Sequence, residues 1–137
     1  GVKRFVRKLV WIKEAGVAIV CDDVELASPG RIELRFFPER KPVQSSDAVV
    51  EATTPRNSVR IENLTPARSV LTLGTQFVEE RSSSSGENRP LVTVAADASS
   101  LKQVTAVTWA ALPAAAPVVT YDEQAGTVTV NGKTYTL

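Results

Sequence analysis

The chain has 137 residues, of which 43% are hydrophobic and 23% are charged. This composition excludes an intrinsically disordered chain, and no stretch approaches the roughly 20 apolar residues that a membrane helix needs. Sixteen basic residues oppose fifteen acidic ones, a balance that argues against a nucleic-acid-binding surface. We therefore expect one folded domain over residues 1–137, with neither a nucleic-acid partner nor a membrane partner.

The first forty residues predict an antiparallel hairpin followed by a third strand. Residues 3–12 and 16–26 are rich in aliphatic side chains and flank a short connection, KEAG, that contains Gly16, which favours a hairpin. A turn signal at 28–30 separates them from RIELRFF, whose alternation indicates a half-buried strand. The residues expected on its buried face are Ile32, Leu34 and Phe36.

The middle of the chain predicts short strands separated by turns and loops. Residues 38–46 are polar, contain two prolines and predict a loop. Four strands follow, separated by turn residues: DAVVEATT, SVRIENL, SVLTLG and TQFVEERSS. Residues 81–90 offer no apolar surface to offset the entropy of ordering, so they predict an exposed hairpin loop.

The last third of the chain predicts further strands. The alanine-rich stretch at 101–112 is also rich in β-branched residues and contains Trp109, which favours a pleated strand over a helix. Asn131-Gly132 lies between two alternating runs, the signature of a two-residue type I′ hairpin. The cross-strand pairs expected there are Val128 with Tyr135 and Thr129 with Thr134. Taken together, the patterns predict an all-β protein: an antiparallel β-sandwich of about eleven to twelve short strands.

The sequence indicates no reactive centre. Histidine is absent, which removes the commonest general base, the usual zinc ligand and any Ser-His-Asp arrangement. Asp22 and Asp23 are neighbours, but successive strand residues point to opposite faces, so their carboxylates cannot converge on one substrate atom. We expect one of them to be solvated at a strand end and the other to be hydrogen-bonded to the backbone or to an arginine. No phosphate-binding loop, dinucleotide fingerprint or metal-ligand spacing is present, so we predict no catalytic residue, no metal and no cofactor. The single cysteine, Cys21, is expected to be a small buried apolar residue.

Four residues are candidates for contact with a glycan or with another domain. Trp11 and Trp109 have rings that can stack on a sugar, and packing in the core is the alternative for both. Arg4 and Arg7 belong to a basic run that can bind an acidic polysaccharide through charge-assisted hydrogen bonds. A solvated strand face is the alternative for the arginines. The sequence leaves these alternatives open.

The stretch VKRFVRKLVWIKEAGVAIVCDDVELASPGRIELRFFPE resembles the opening of the C-terminal β-sandwich domain of heparinase II/III-like polysaccharide lyases. A strand of arginines and aliphatics turns into a second strand, AIVCDDVEL, that carries an aspartate before an aliphatic residue. A third strand then ends in Phe36 and Phe37. The closing stretch VTYDEQAGTVTVNGKTYTL is similar to the last strands of these domains.

The resemblance implies a bacterial, two-part enzyme that cleaves uronic-acid polymers by β-elimination. In that family a large helical toroid carries most of the catalytic tyrosine, histidine and asparagine, and the sandwich packs against it and walls the substrate cleft. Some members use a histidine of the sandwich for catalysis or metal binding; no histidine is present here, so no catalytic position carries over. The resemblance thus implies a non-catalytic accessory domain excised from a longer chain, with the parent periplasmic or extracellular. The alternatives are an independent carbohydrate-binding module and an adhesion-type sandwich without a glycan role.

Overall fold

The computed structural model describes residues 1–79 and 86–137, and nearly all of their regular structure is β-strand. The described residues contain one short 3-10 helix, Lys13–Ala15, and no helix among them is long and apolar enough to cross a membrane. They form ten strands: β1 Val2–Ile12, β2 Val17–Phe36, β3 Val43–Ser46, β4 Val49–Thr53, β5 Asn57–Asn63, β6 Val70–Glu79, β7 Gly86–Ala111, β8 Val119–Asp122, β9 Thr127–Val130 and β10 Lys133–Thr136.

The strands form two antiparallel sheets. The larger sheet has the order β1-β2-β7-β5-β4-β3, and β6 also pairs with β7. The smaller sheet has the order β10-β9-β8. The prediction of an all-β, antiparallel, sandwich-like fold is confirmed, and so is the hairpin between β1 and β2.

The strands are fewer and longer than predicted, because two positions expected to end a strand lie within continuous strands. β2 has 20 residues and β7 has 26. The expected turn at 28–30 is a bulge: between two consecutive cross-strand pairs, residues 26–29 of β2 face only Ser99 of β7. A bulge bends a strand without ending it. β6 also continues through Gly74, where the sequence predicted a boundary, and there its pairing with β7 is regular.

Two predicted loops are partly strand. Within 38–46, Val43–Ser46 forms β3 and pairs with β4. The expected hairpin loop at 81–90 is wrong for residues 86–90, which begin β7 and pair with β6; residues 80–85 lie outside the described part of the chain. In both places pairing satisfies the backbone hydrogen-bonding groups, so a polar sequence is accommodated in a strand.

Three apolar clusters form the core. The first joins the large sheet to the small one: Ile12, Val17, Ile19, Val104 and Ala106 pack on Val119, Val128 and Val130. The second cluster joins the second half of β2 and the first half of β7 to β4, β5 and β6. Its members are Leu34, Val50, Ile61, Leu71, Val92 and Val94. The third lies beside the bulge: Val24, Ile32 and Leu101. The long strands β2 and β7 therefore contribute residues to all three clusters.

The hairpin between β9 and β10 matches its sequence signature. Asn131 and Gly132 both have positive φ, 49° and 86°, as a type I′ turn requires. The pairs of Val128 with Tyr135 and of Thr129 with Thr134 are present. The Asn131 side chain also accepts a hydrogen bond from the Val118 amide at 3.0 Å, which ties the turn to the start of β8.

Gly16 fixes the turn from β1 to β2 against Trp109. Its φ of +63° lies in the left-handed region, which a residue with a Cβ enters at a cost. Its carbonyl accepts a hydrogen bond from the Trp109 amide at 2.9 Å. A Cβ at Gly16 would lie 2.6 Å from the Trp109 carbonyl oxygen, so this close approach requires glycine.

Replacing Gly16 with alanine tests that constraint. Gly16→Ala combines left-handed strain of about 1–2 kcal/mol with an overpacking cost of about 1–3 kcal/mol. Gly126 is a matched control, because its φ is also left-handed, at +64°, but no other group lies within 4 Å of a Cβ added there. We expect Gly16→Ala to lower the free energy of unfolding in urea clearly more than Gly126→Ala does. Equal losses would show that the approach to Trp109 adds nothing to the backbone strain.

Candidate functional site

The fold separates the four candidate residues onto two faces of the large sheet. Residues directly opposite each other in an antiparallel pair share a face, and alternate residues of one strand share a face. By this rule Trp11, Ala18, Val107 and Trp109 lie on one face, since Trp11 pairs with Ala18 and Ala18 pairs with Val107. We call it the tryptophan face, and Arg7 also lies on it. Arg4 lies on the opposite face, which we call the covered face because β8, β9 and β10 pack on it.

Trp11 and Trp109 contact each other at the surface. Their ring centroids lie 4.9 Å apart and the ring planes are inclined by 42°. Trp11 is 59% exposed and Trp109 is half-buried. Core packing is therefore wrong for Trp11. The reason is its place on β1, an edge strand of the sheet.

An apolar strip extends along the tryptophan face from these two rings. We define it as Phe5, Leu9, Trp11, Trp109 and Val59; the last residue lies opposite Trp109 on β5. Phe5 is 54% exposed and Leu9 is 62% exposed. Arg7 lies between Phe5 and Leu9 on this face. Large exposed apolar side chains that are gathered on one face mark sites of interaction.

Arg7 and Asp22 form a partly buried ion pair on the same face. The Arg7 Nε and Nη2 donate to the two carboxylate oxygens of Asp22 at 2.6 and 3.1 Å. The Asp22 side chain has no exposed surface, whereas that of Arg7 is 45% exposed. The hydrogen bond to Asp22 raises the pKa of Arg7. The guanidinium carbon also lies 5.6 Å from the centroid of the Phe5 ring, within the range of a cation–π interaction.

Arg4 and Asp23 form a second, more exposed pair on the covered face. The Arg4 Nη2 donates to Asp23 at 2.5 Å, and the two side chains are 51% and 30% exposed. The expectation that one aspartate is hydrogen-bonded to an arginine is confirmed for Asp22. A solvated strand end is wrong for the other aspartate, because both lie within β2 and Asp23 also pairs with an arginine of β1. Their carboxylates do point to opposite faces, as the sequence predicted, so they do not form a catalytic pair.

The described residues hold no cluster of three or more His, Cys, Asp or Glu side chains that is suited to a metal ion. Cys21 is only partly buried rather than fully buried as expected. Burial is the main cause that raises the pKa of its thiol, and the nearby Asp22 adds to the effect. A thiol with a raised pKa is a poor nucleophile at neutral pH.

A buried polar network lies beside these pairs and was not indicated by the sequence. The Gln103 amide donates to Asn63 Oδ1 at 2.8 Å, and the Ser69 hydroxyl donates to Gln103 Oε1 at 2.5 Å. The Asn63 amide donates to the Ser69 carbonyl at 3.0 Å. These bonds hold the segment between β5 and β6 against β7. The partners are up to 40 residues apart in the chain, and no local pattern marks such a pairing.

Sequence comparisons identify no relative. No protein-family model matches the chain, and no curated protein is similar to it in sequence. The comparison of folds is informative instead.

The fold is similar to part of two solved polysaccharide lyases. The heparan sulfate lyase HepC from Pedobacter heparinus superposes with a TM-score of 0.72 at 19% sequence identity. The heparinase III product of BT4657 superposes with a TM-score of 0.75 at 16% identity. In each case the similarity covers 97% of this chain and 23% of the lyase chain. The resemblance to heparinase-type lyases in the sequence is thus confirmed at the level of fold, and this chain spans about a quarter of the length of those proteins.

The two arginine pairs predict losses of stability of different size. Arg7→Ala leaves a fully buried carboxylate without its partner; because Arg7 is itself half exposed, we expect a loss of about 2–3 kcal/mol in the free energy of unfolding. Arg4→Ala breaks an exposed pair and is expected to cost at most about 1 kcal/mol. Urea unfolding of both variants beside the parent sequence measures the difference. A similar loss for the two variants would contradict the anchoring role of the Arg7–Asp22 pair.

Proposed function

We propose that this chain is the non-catalytic accessory β-sandwich domain of a heparinase II/III-like polysaccharide lyase, in which a separate helical toroid acts on an acidic polysaccharide. The observation that carries the proposal is the coverage of the fold match, which includes 97% of this chain but only 23% of each lyase. Such a domain would be periplasmic or extracellular with its parent. Its task would be to support the helical domain and to wall the substrate cleft.

The apolar strip supports a contact with the rest of such a parent chain. Interface cores are enriched in aromatic residues and arginine, and Phe5, Arg7 and Trp11 lie on the same face of β1. Arg7 is fixed by Asp22, so presenting it costs little side-chain entropy. An exposed apolar edge strand invites pairing or coverage by another element. We infer that the strip and the free edge of β1 are covered in the parent protein.

A matched pair of substitutions tests this contact. Leu9 and Val70 are similarly exposed, at 62% and 64%, but Leu9 lies in the apolar strip whereas Val70 lies on β6. We expect Leu9→Asp to lower the melting temperature of the full-length parent and to leave that of the 137-residue chain nearly unchanged. Val70→Asp should change neither. Hydrogen exchange should also be slower for the β1 amides in the parent than in the chain alone.

Two outcomes would contradict the accessory role. Exchange of the β1 amides at the same rate in both proteins would show that the strip is not covered. Production of unsaturated uronates from an acidic polysaccharide by the 137-residue chain alone would show that it is itself a catalyst. The full-length parent provides the positive control for that cleavage assay.

An independent carbohydrate-binding module is the second candidate, and the contact between Trp11 and Trp109 favours it. An exposed ring supported by a second ring is a rigid surface on which a sugar can stack. In this case Trp11→Ala abolishes oligosaccharide binding by the isolated chain without unfolding it. Phe77→Ala removes a similarly exposed aromatic ring on β6 and should leave binding intact. Calorimetric titration measures both, and retention of full affinity by Trp11→Ala eliminates this candidate.

A further inference from the structure

The second half of β2 pairs with a neighbour on one side only. Residues 17–25 of β2 lie between β1 and β7, whereas residues 30–36 pair with β7 alone among the described strands. A strand with a single neighbour directs the N–H and C=O groups of every second residue away from that neighbour. Residues 30–36 therefore present a row of outward backbone donors and acceptors, about 20 Å long at roughly 3.3 Å per residue. We call this row the open edge of β2.

The open edge belongs to a layer that ends one strand short. After the bulge, the second half of β2 lies over the tryptophan face, because Leu34 packs in one cluster with Val107 and Ile61, which are paired on that face. In the layer below, β1 flanks the first half of β2. In the layer above, no described strand flanks the second half on the corresponding side. The missing strand explains why Phe5 and Leu9 of β1 are exposed although they face the inside of the sandwich.

A cavity of about 490 Å³ lies between the open edge and β1. Phe5 and Arg7 line it from β1, and Ile32 and Leu34 line it from the second half of β2. Ile32 and Leu34 are at most 5% exposed, so the wall below the open edge is apolar and already packed. A row of backbone hydrogen-bonding groups beside an apolar cavity is the arrangement that binds an extended peptide as an added strand.

The charged residues of the second half of β2 leave its edge accessible. The Nε atoms of Arg31 and Arg35 both donate to the Glu33 carboxylate, at 2.8 and 2.9 Å. These ion pairs join residues of the same strand, so they run along the edge and do not close it. Lysine and proline, which commonly block exposed edges, are absent from residues 30–36.

The geometry favours a single extended segment over a second folded copy. Paired strands lie about 4.8 Å apart. If two copies joined at their open edges, β1 of each copy would lie beneath the open edge of the other, where the partner's own β1 lies. A segment that belongs to no second layer avoids this collision. The rest of a longer parent chain can supply such a segment, since the fold match leaves about three-quarters of each lyase outside the region that this chain matches.

We propose that an extended segment of the parent chain, from outside these 137 residues, adds an antiparallel or parallel strand to the open edge of β2. Its backbone pairs with residues 30–36, and its inward side chains, at every second position, are apolar and cover the Phe5 end of the apolar strip. The added strand completes the layer above β1. This inference rests on the proposed function, because it requires a longer parent, and it specifies the backbone pairing by which that parent covers the strip.

Residue-resolved hydrogen exchange on the 137-residue chain and on the full-length parent tests the added strand. Every second amide of residues 30–36 is already bonded to β7 and should exchange slowly in both proteins. The intervening amides should exchange fast in the chain alone and at least about tenfold more slowly in the parent. This alternation distinguishes an added strand from a covering helix or loop, which forms no ladder with the open edge.

Phe5 and Phe77 provide a matched pair of variants in the parent. Their side chains are similarly exposed, at 54% and 55%, but Phe5 lines the cavity whereas Phe77 lies on β6. Phe5→Ala removes apolar surface that the added strand covers, so the intervening amides should exchange about tenfold faster in that variant. Phe77→Ala should leave their exchange unchanged. Circular dichroism confirms that each variant is folded.

The inference is overturned if the intervening amides exchange equally fast in the chain and in the parent, or if Phe5→Ala and Phe77→Ala have equal effects on them. If the β1 amides are still protected in the parent, the proposed function stands, because the strip is then covered by an element that does not pair with the open edge. If neither set is protected, both fail. Alternating protection in the chain alone, with a dimer in sedimentation, would show a second copy at the edge and would also overturn the inference.

Discussion

The ladder between β2 and β7 is the constraint on which the rest of the structure depends. It pairs Val17–Phe36 with residues of the 26-residue strand β7, and a bulge at residues 26–29 bends it midway. One half of the ladder forms the core with the small sheet, and the other half packs with β4, β5 and β6. A straight ladder would have left one of those apolar faces in water, so the bulge allows two cores to share the same pair of strands.

The same ladder determines what each surface displays. Asp22 and Asp23 are consecutive in β2, so they anchor Arg7 on the tryptophan face and Arg4 on the covered face. The burial of Asp22 makes the first pair rigid, and the apolar strip lies around it. The second pair is more exposed, and Lys102 lies opposite Asp23 in the β2–β7 ladder. One alternating strand thus gives two surfaces of different chemistry, and each can serve a different partner.

Local patterns predicted the features whose cause is local. The alternation around Ile32 and Leu34, the turn at Gly16 and the Asn131-Gly132 hairpin all depend on neighbouring residues, and the structure has each of them. The length of β2 was mispredicted and the exposure of Trp11 was left open, because both depend on which strand lies alongside. A Ser-Pro-Gly run predicts a turn, but a partner strand that continues past it can keep the chain in a strand. A tryptophan in an apolar run predicts core packing, but it is exposed when its strand lies at the edge of a sheet. The buried network joins Gln103 to Asn63 and Ser69 across as many as 40 positions, so no short sequence window contains it.

The fold matches those of lyases at only 16–19% identity, because the fold depends on buried positions and not on surface residues. Period-two burial needs only apolar residues of suitable volume at inward positions, and many sequences meet that condition. The fold can therefore persist after nearly every surface residue has changed, and a shared fold does not transfer a shared task. What this chain does must be decided by residues that the core does not require. Leu9 and Trp11 on one face and Lys102 on the other are such residues, since burial of apolar surface accounts for none of their positions.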